Sequence, residues 1–473
     1  MGKAKSPWAG LATLALLGFC VGTFGVLALF ALSGRLAAMS VTAAISVIGL
    51  LLGTALATGY AALKLSSAGK VRVALEIGAF IAALLGAEIM IHIVSPDPPS
   101  TQHARKMDAD RLGVPFDLRT KSEIVAELRA QGIDALPGIS REWPRQPRVR
   151  QQLPEGLFPL SHASNVEVVE CNEAGRYVTF HTDEFGFNNP PGLIASGHVD
   201  VAAIGASFTL GHCVANGSSL IARLRHIYPN LANFGMAGSG TLSMLATFRE
   251  YVEPLKPPLV LWIMHPWTAD TRDELSDPVL SRYLDPTFSQ HLFERRGEVD
   301  QAMRSIAIQV QYEADASIAR AVKAAERDRF AGILTLSLLR KRLHLPELLE
   351  KPPEAPDLRP WEQSIDLARR ATQSWGGRFV VVIMPLYAEV VSHDLAEPLH
   401  HEHLAALLRA RGVDVIDTVP LFKSVSDPGS LYVMHRNNHP TAEGHRMLAE
   451  FITAQLHVVD AAGPRLAHDG SSP

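Results

Sequence analysis

The feature that most constrains this chain is its first 95 residues. Residues 9 to 32 carry no charged side chain and are almost wholly apolar, and the same is true of residues 36 to 63. Each run exceeds the ~20 residues an α-helix needs to cross the hydrocarbon core of a bilayer. A third run, Val73 to Val94, is interrupted only by Glu76 and Glu88. The first run is long for a signal peptide and lacks a small-residue cleavage site. Three spanning helices are therefore expected, forming a membrane anchor over residues 1–95.

Basic residues give the expected orientation. Lys3 and Lys5 precede the first run, and Lys64, Lys70 and Arg72 lie between the second and third, whereas only Arg35 separates the first two. The positive-inside rule puts the N-terminus in the cytoplasm. Three crossings then place everything after residue 95 outside the cytoplasmic membrane, which is the periplasm if the cell is Gram-negative. Glu88 and His92 share a helix face and are expected at the outer interface, touching water or the outer domain.

The rest of the 473-residue chain must hold the functional domain. Its formal charge of -4 gives no sign of nucleic-acid binding, and none of the three cysteines has zinc-site spacing. Residues 96–165 read as a linker and amphipathic segment. SPDPPS at 95–100 breaks the helix, residues 116–133 place Ile124, Val125 and Leu128 on one face, and 134–160 are proline-rich. Residues 165–180 alternate, turn at NEAG and alternate again, as a hairpin does. Cys171 closes its first strand, and Cys213 is the other cysteine beyond the anchor. An oxidising compartment predicts a Cys171–Cys213 disulfide tying this hairpin to the segment after Ser207. In DEFGFNNPPG, Asn188 and Asn189 either meet a polar ligand or bond the nearby backbone.

From residue 199 strands and helices alternate. Apolar runs at 199–204, 231–234, 259–264, 379–384 and 413–416 read as strands, and 220–228, 242–255, 361–373, 404–411 and 441–456 as helices. The expected class is α/β, a doubly wound parallel sheet over residues 166–473, with a helical insertion at about 286–360. That insertion is charged and reads as a lid, a partner surface or a solvated helical hairpin. Sites in such sheets lie at the carboxyl ends of the strands, where Ser207, the glycine loop GMAGSGT, His265 and Asp417 fall. Ser207 follows a strand and a glycine turn, which lifts a hydroxyl out of a sheet end. His439 stands just before the last helix, where it can serve as base to a serine.

The ordered set Gly-x-Ser-Phe-Thr, Asn-Phe-Gly-x-x-Gly-x-Gly-Thr and a late His-Pro-Thr-x-x-Gly-His resembles the SGNH/GDSL hydrolases over residues 196 to 458, apart from the insertion. It is similar to the membrane-anchored branch associated with bacterial surface-polysaccharide gene clusters, in which DEFGFNNP and both cysteines recur. The resemblance implies Ser207 as nucleophile, His439 as base, and the N–H groups of Ser207 and Gly238 as oxyanion donors. It implies no metal or organic cofactor. The implied partners are the bilayer, a polysaccharide substrate and other membrane biosynthesis proteins.

Three positions depart from the family pattern. Ala206 replaces the Asp of Gly-Asp-Ser, Thr268 or Ala269 stands where an oxyanion Asn is expected, and Arg436 occupies the place of the acid three residues before His439. Thr268 offers a hydroxyl as a substitute donor. Asn437, Asn438, Asp417 or Asp427 are the candidates to orient His439. Three functions remain open on the sequence: an esterase or O-acyltransferase working through a serine acyl-enzyme on surface polysaccharide, a catalytically degenerate binding and assembly module, or a lipid esterase, suggested only by the membrane anchor.

Overall fold

The computed structural model describes residues 7–32, 39, 41–94, 101–327, 329–344, 355–392, 399–436 and 438–461. These fall into two compact units. One comprises residues 1–100 with 320–354, the other residues 101–319 with 355–473.

The first unit contains three long apolar helices, α1 (Pro7–Leu32), α2 (Val41–Lys64) and α3 (Ser67–Val94). All three are long and apolar enough to cross a membrane. Leu16 packs into Ala61 and Ala62 between α1 and α2. The one fully buried acid of α3 is Glu88, and it meets protein rather than water. Its carboxylate accepts the N–H groups of Leu338 at 2.8 Å and Leu339 at 2.7 Å, in the first turn of a short helix, Ser337–Arg342. A carboxylate there satisfies amides that a helix N-terminus otherwise leaves without acceptors.

In the second unit α4 (Thr101–Leu112) precedes α5 (Lys121–Ala130). The latter begins where Thr120 and Glu123 cap each other's backbone, and it buries Ile124 and Val125. A small mixed sheet follows, ordered β1-β2-β3, with β1 Ala135–Pro137, β2 Glu167–Cys171 and β3 Val178–His181. Strands β2 and β3 form the expected hairpin. Its register slips at Glu170, because Val169 faces Thr179 while Cys171 faces Val178. Such a bulge re-aims side chains, a device common beside active sites.

The main sheet has five parallel strands in the order β5-β4-β6-β7-β8. They are β4 (Val201–Gly205), β5 (Leu231–Gly235), β6 (Leu259–Met264), β7 (Arg378–Ile383) and β8 (Asp414–Asp417). β4 and β5 are buried throughout and β6 and β7 almost so, which accounts for their continuous apolar sequence. Helices cover the sheet: α6 (Ser207–Leu210), α7 (Thr241–Thr247), α8 (Arg296–Arg327, of which 296–319 belong to this unit), α9 (Arg359–Ser374), α10 (Tyr387–Val390), α11 (His401–Ala410) and α12 (Ala442–Ala461). The predicted helix 242–255 divides after α7 into a π-helical turn, Phe248–Val252.

The order of strands places the site. The chain leaves β4 for β5 on one side and returns for β6 on the other, so β4 is the switch point of the sheet. The crevice of an open α/β sheet opens there, at the carboxyl ends. Ser207 follows β4, Gly238 follows β5 and His265 follows β6.

Candidate active site

Ser207 is lifted from the sheet by a turn that only glycine fits. A Cβ at Gly205 would meet Thr209 Oγ1 at 2.0 Å and the carbonyl of Ile263 at 2.6 Å. Ser207 then opens α6, which presents its hydroxyl toward the loop before α12.

His439 lies on that loop. Its backbone carbonyl accepts the N–H of Val433 at 2.9 Å, which fixes the ring's origin. The Nε2 atom lies 2.9 Å from Ser207 Oγ, and Nδ1 lies 2.7 Å from Glu173 Oε2. Glu173 sits in the NEAG turn between β2 and β3. As an acceptor-only carboxylate it accepts the hydrogen bond from Nδ1–H, which keeps the ring proton on Nδ1 and leaves the lone pair of Nε2 to accept the serine hydroxyl. A serine, an imidazole and a carboxylate thus stand in one hydrogen-bonded line.

The carboxylate is held from the other side by Arg105 of α4, 2.5 Å from Oε1. Arg436 is also bound to α4, through Asp108 at 2.9 Å. The position where an acid was expected is thereby tied down, while the acid itself comes from a distant hairpin. That hairpin is joined to the segment after Ser207 by the Cys171–Cys213 disulfide, with Cα atoms 5.5 Å apart. The covalent link lies two residues from Glu173 and six from Ser207.

A second carboxylate–imidazole pair flanks the first. His212 Nδ1 lies 2.9 Å from Glu170 Oε1, and the His212 ring is 4.6 Å from that of His439. Glu170 sits at the bulge of the same hairpin whose turn carries Glu173. Burial pulls Glu173 upward, but the hydrogen bond and charge of His439, with His212 and Arg105, outweigh it and hold the carboxyl at about 2. Glu170 is likewise held at about 2, its burial outweighed chiefly by His212. His439 itself lies below its ordinary value, because burial disfavours the imidazolium more than Glu173 favours it. A neutral His439 beside an ionised Glu173 results.

Gly238 has φ of +72°, and a Cβ there would meet Ser140 Oγ at 2.0 Å. The Arg141 N–H donates to the carbonyl of Ala237 at 2.9 Å, pinning the glycine loop. The buried Glu274 accepts the N–H groups of Gly240 at 3.1 Å and Leu242 at 2.7 Å, closing the loop where α7 begins. Among the described residues no protein acceptor takes the N–H of Ser207 or of Gly238. Both remain available to a ligand's oxygen. Thr268 is placed differently: its hydroxyl donates to the carbonyl of His265 at 2.8 Å, so its proton is committed to the backbone. Ala269 is buried.

Three of the other expected orienting residues bond elsewhere. Asp417 accepts from, or shares a proton with, His401 Nδ1 at 2.6 Å. Asn438 uses its side-chain oxygen to accept the N–H of Tyr387 at 3.0 Å. Asp427 offers its carbonyl to the N–H of Ser430 at 3.2 Å. Asn437 lies outside the described residues. Asn188 and Asn189 spend their amides on protein, donating to the carbonyls of Leu210 and Asn233, both at 3.1 Å.

Sequence reasoning missed Glu173. Its signal was its position two residues after a cysteine expected to bond beside the nucleophile.

No protein-family model matches the chain, and no curated protein sequence does. Solved structures do resemble it. One is a protein from Desulfitobacterium hafniense assigned to the lipolytic G-D-S-L family, with 13% identity and a TM-score of 0.31 over 54% of this chain and 99% of the other. A G-D-S-L lipolytic family member from Veillonella parvula has 14% identity and a TM-score of 0.29 over 54% and 97%. A two-domain esterase active on acetylated mannans has 11% identity and a TM-score of 0.30 over 59% and 55%.

Proposed function

We propose that this chain is a membrane-anchored serine esterase or O-acyltransferase of the SGNH type, acting on acylated cell-surface polysaccharide. The observation that carries the reading is the line Glu173–His439–Ser207, closed by bonds of 2.7 and 2.9 Å. In this reading His439 Nε2 takes the Ser207 proton as Oγ attacks the ester carbonyl. The N–H groups of Ser207 and Gly238 receive the developing oxyanion. His439 returns the proton to the departing alcohol, and the acyl group stays on Ser207. Water or a sugar hydroxyl then attacks, giving its proton to His439, which passes it to Ser207 Oγ as the acid or the new ester leaves. Glu173 remains ionised and fixes the tautomer throughout.

The polysaccharide substrate is supported by the motif resemblance and by the membrane anchor. An oxidised Cys171–Cys213 pair fits the extracytoplasmic placement that the basic residues predict. A degenerate binding module would have no need of an ionised acid aimed at a neutral imidazole, so the site favours the enzyme. A fluorophosphonate probe applied to the detergent-solubilised chain tests this. Labelling that disappears in Ser207→Ala supports it; a well-folded wild type that resists labelling leaves only the module.

A further inference from the structure

Away from the relay, a second group of imidazoles and carboxylates gathers where β7 and β8 end. Glu389 lies on α10, His400 and His401 at the start of α11, and Asp417 closes β8. Ligand atoms of Glu389, His400 and His401 all lie within 4.8 Å of one another.

We propose that Glu389, His400 and His401 bind one divalent transition-metal ion of the zinc class, with Asp417 as the carboxylate behind it. His401 is 3% exposed and Glu389 1%. His401 Nδ1 is engaged by Asp417 at 2.6 Å, so the proton sits on Nδ1 and the Nε2 lone pair points away from Asp417. That lone pair faces Glu389 Oε1 at 3.8 Å, and His400 Nε2 faces the same oxygen at 3.6 Å. These separations are too long for hydrogen bonds. They are close to the ~3.4 Å expected between two ligands about 2.1 Å from a shared tetrahedral ion. Among the described residues His401 Nε2 and Glu389 Oε2 are buried with no hydrogen-bond partner. A buried imidazole lone pair beside a carboxylate, with no donor between them, is repulsive unless a cation lies there.

The remaining contacts fit the same reading. Glu389 Oε1 already accepts the His401 N–H at 2.9 Å, which fixes the carboxylate before any ion arrives. The Asp417–His401 pair is the outer carboxylate that orients a ligating imidazole and raises its basicity. Two imidazole nitrogens with one carboxylate suit zinc and its transition-metal neighbours rather than magnesium or calcium. His400, with a side chain 30% exposed, leaves a path from solvent. The ion's task is positional. It joins α10 to α11, and α10 carries Tyr387, whose N–H holds Asn438 next to His439.

The test uses the full chain in detergent, free of any affinity tag, stripped with a chelator and titrated with Zn²⁺ and with Co²⁺. One equivalent of tightly held metal and the visible absorption of low-symmetry Co²⁺ are expected. His400→Gln, at a half-open position that tolerates an amide, should weaken Zn²⁺ binding at least tenfold, and Asp417→Asn by about 10–100-fold. Failure of the wild type to retain Zn²⁺ or Co²⁺ overturns the proposal, and so does equal retention by wild type and His400→Gln. These readouts are independent of Ser207 labelling, so either proposal can fail alone.

Discussion

Replacing Glu173 by glutamine probes the relay where its geometry makes the strongest demand. Among the described residues the carboxylate takes a donor at each oxygen, Arg105 at Oε1 and His439 Nδ1 at Oε2. An amide has one oxygen. If that oxygen faces Arg105, the NH₂ faces His439, and Nδ1 must become the acceptor. The ring proton then moves to Nε2, which can no longer accept from Ser207. If the amide turns over, its NH₂ meets the guanidinium of Arg105 and two donors collide. The first arrangement is favoured, so Glu173→Gln locks the wrong tautomer. Loss of the correct tautomer in a serine relay costs about 10⁴ in kcat, or about 5.5 kcal/mol of barrier. Removing Arg105 as well frees the amide to turn, so Arg105→Ala added to Glu173→Gln should recover part of the rate. The assay is hydrolysis of p-nitrophenyl acetate by the solubilised chain between pH 5 and 9, with circular dichroism confirming the fold. Glu173 also raises the affinity of His439 for protons, so the acid limb of the kcat/KM profile should shift to lower pH in Glu173→Gln. A single variant within tenfold of wild type, or a double variant slower than the single, would refute the reasoning.

Three further outcomes are expected. Gly238→Ala places a methyl against Ser140 Oγ at a positive φ and should displace one oxyanion donor, lowering kcat by about 10²–10³ with a much smaller change in KM. Opening the Cys171–Cys213 disulfide, which spans 42 residues, should cost about 4 kcal/mol of stability by loop entropy, read by denaturant titration with and without reductant. Stability should fall with acid in two stages. His162 and His265, held by burial at about 4, and His445, at about 3, resist charging in the folded chain, so stability present above pH 6.5 is lost as pH falls below it. Glu170 and Glu173, held at about 2 against an ordinary 4.5, add a further loss between pH 4.5 and 2. A melting temperature flat from pH 7 to 3 would contradict both assignments.

Much of this molecule was legible in the sequence because its signals are local. Apolar runs fix the three long helices and the buried parallel strands, and the turn chemistry at NEAG fixes the hairpin. Ser207, Gly238 and His439 each sit in a short motif at a strand end or helix start. The acid did not, because nothing near His439 in the chain encodes it. Arg436 stands in its place and is taken up by Asp108, while Glu173 reaches the imidazole from a separate sheet 266 residues earlier in the chain. Asp417 was a fair candidate, being at the correct edge of the sheet, but His401 lies nearer and claims it. Thr268 has the correct chemistry for a donor, but its turn directs the hydroxyl to a carbonyl. Such choices depend on which of several polar groups packing brings within bonding reach, and periodicity carries no record of that.

The hairpin that supplies Glu173, and the Arg105 that braces it, determine how short a working version of this chain can be. A truncation guided by the recognisable motifs would start near residue 196 and keep the whole five-stranded layer, yet it would discard the carboxylate. Cutting instead between the last apolar helix and Thr101 removes the anchor and retains every group in the relay.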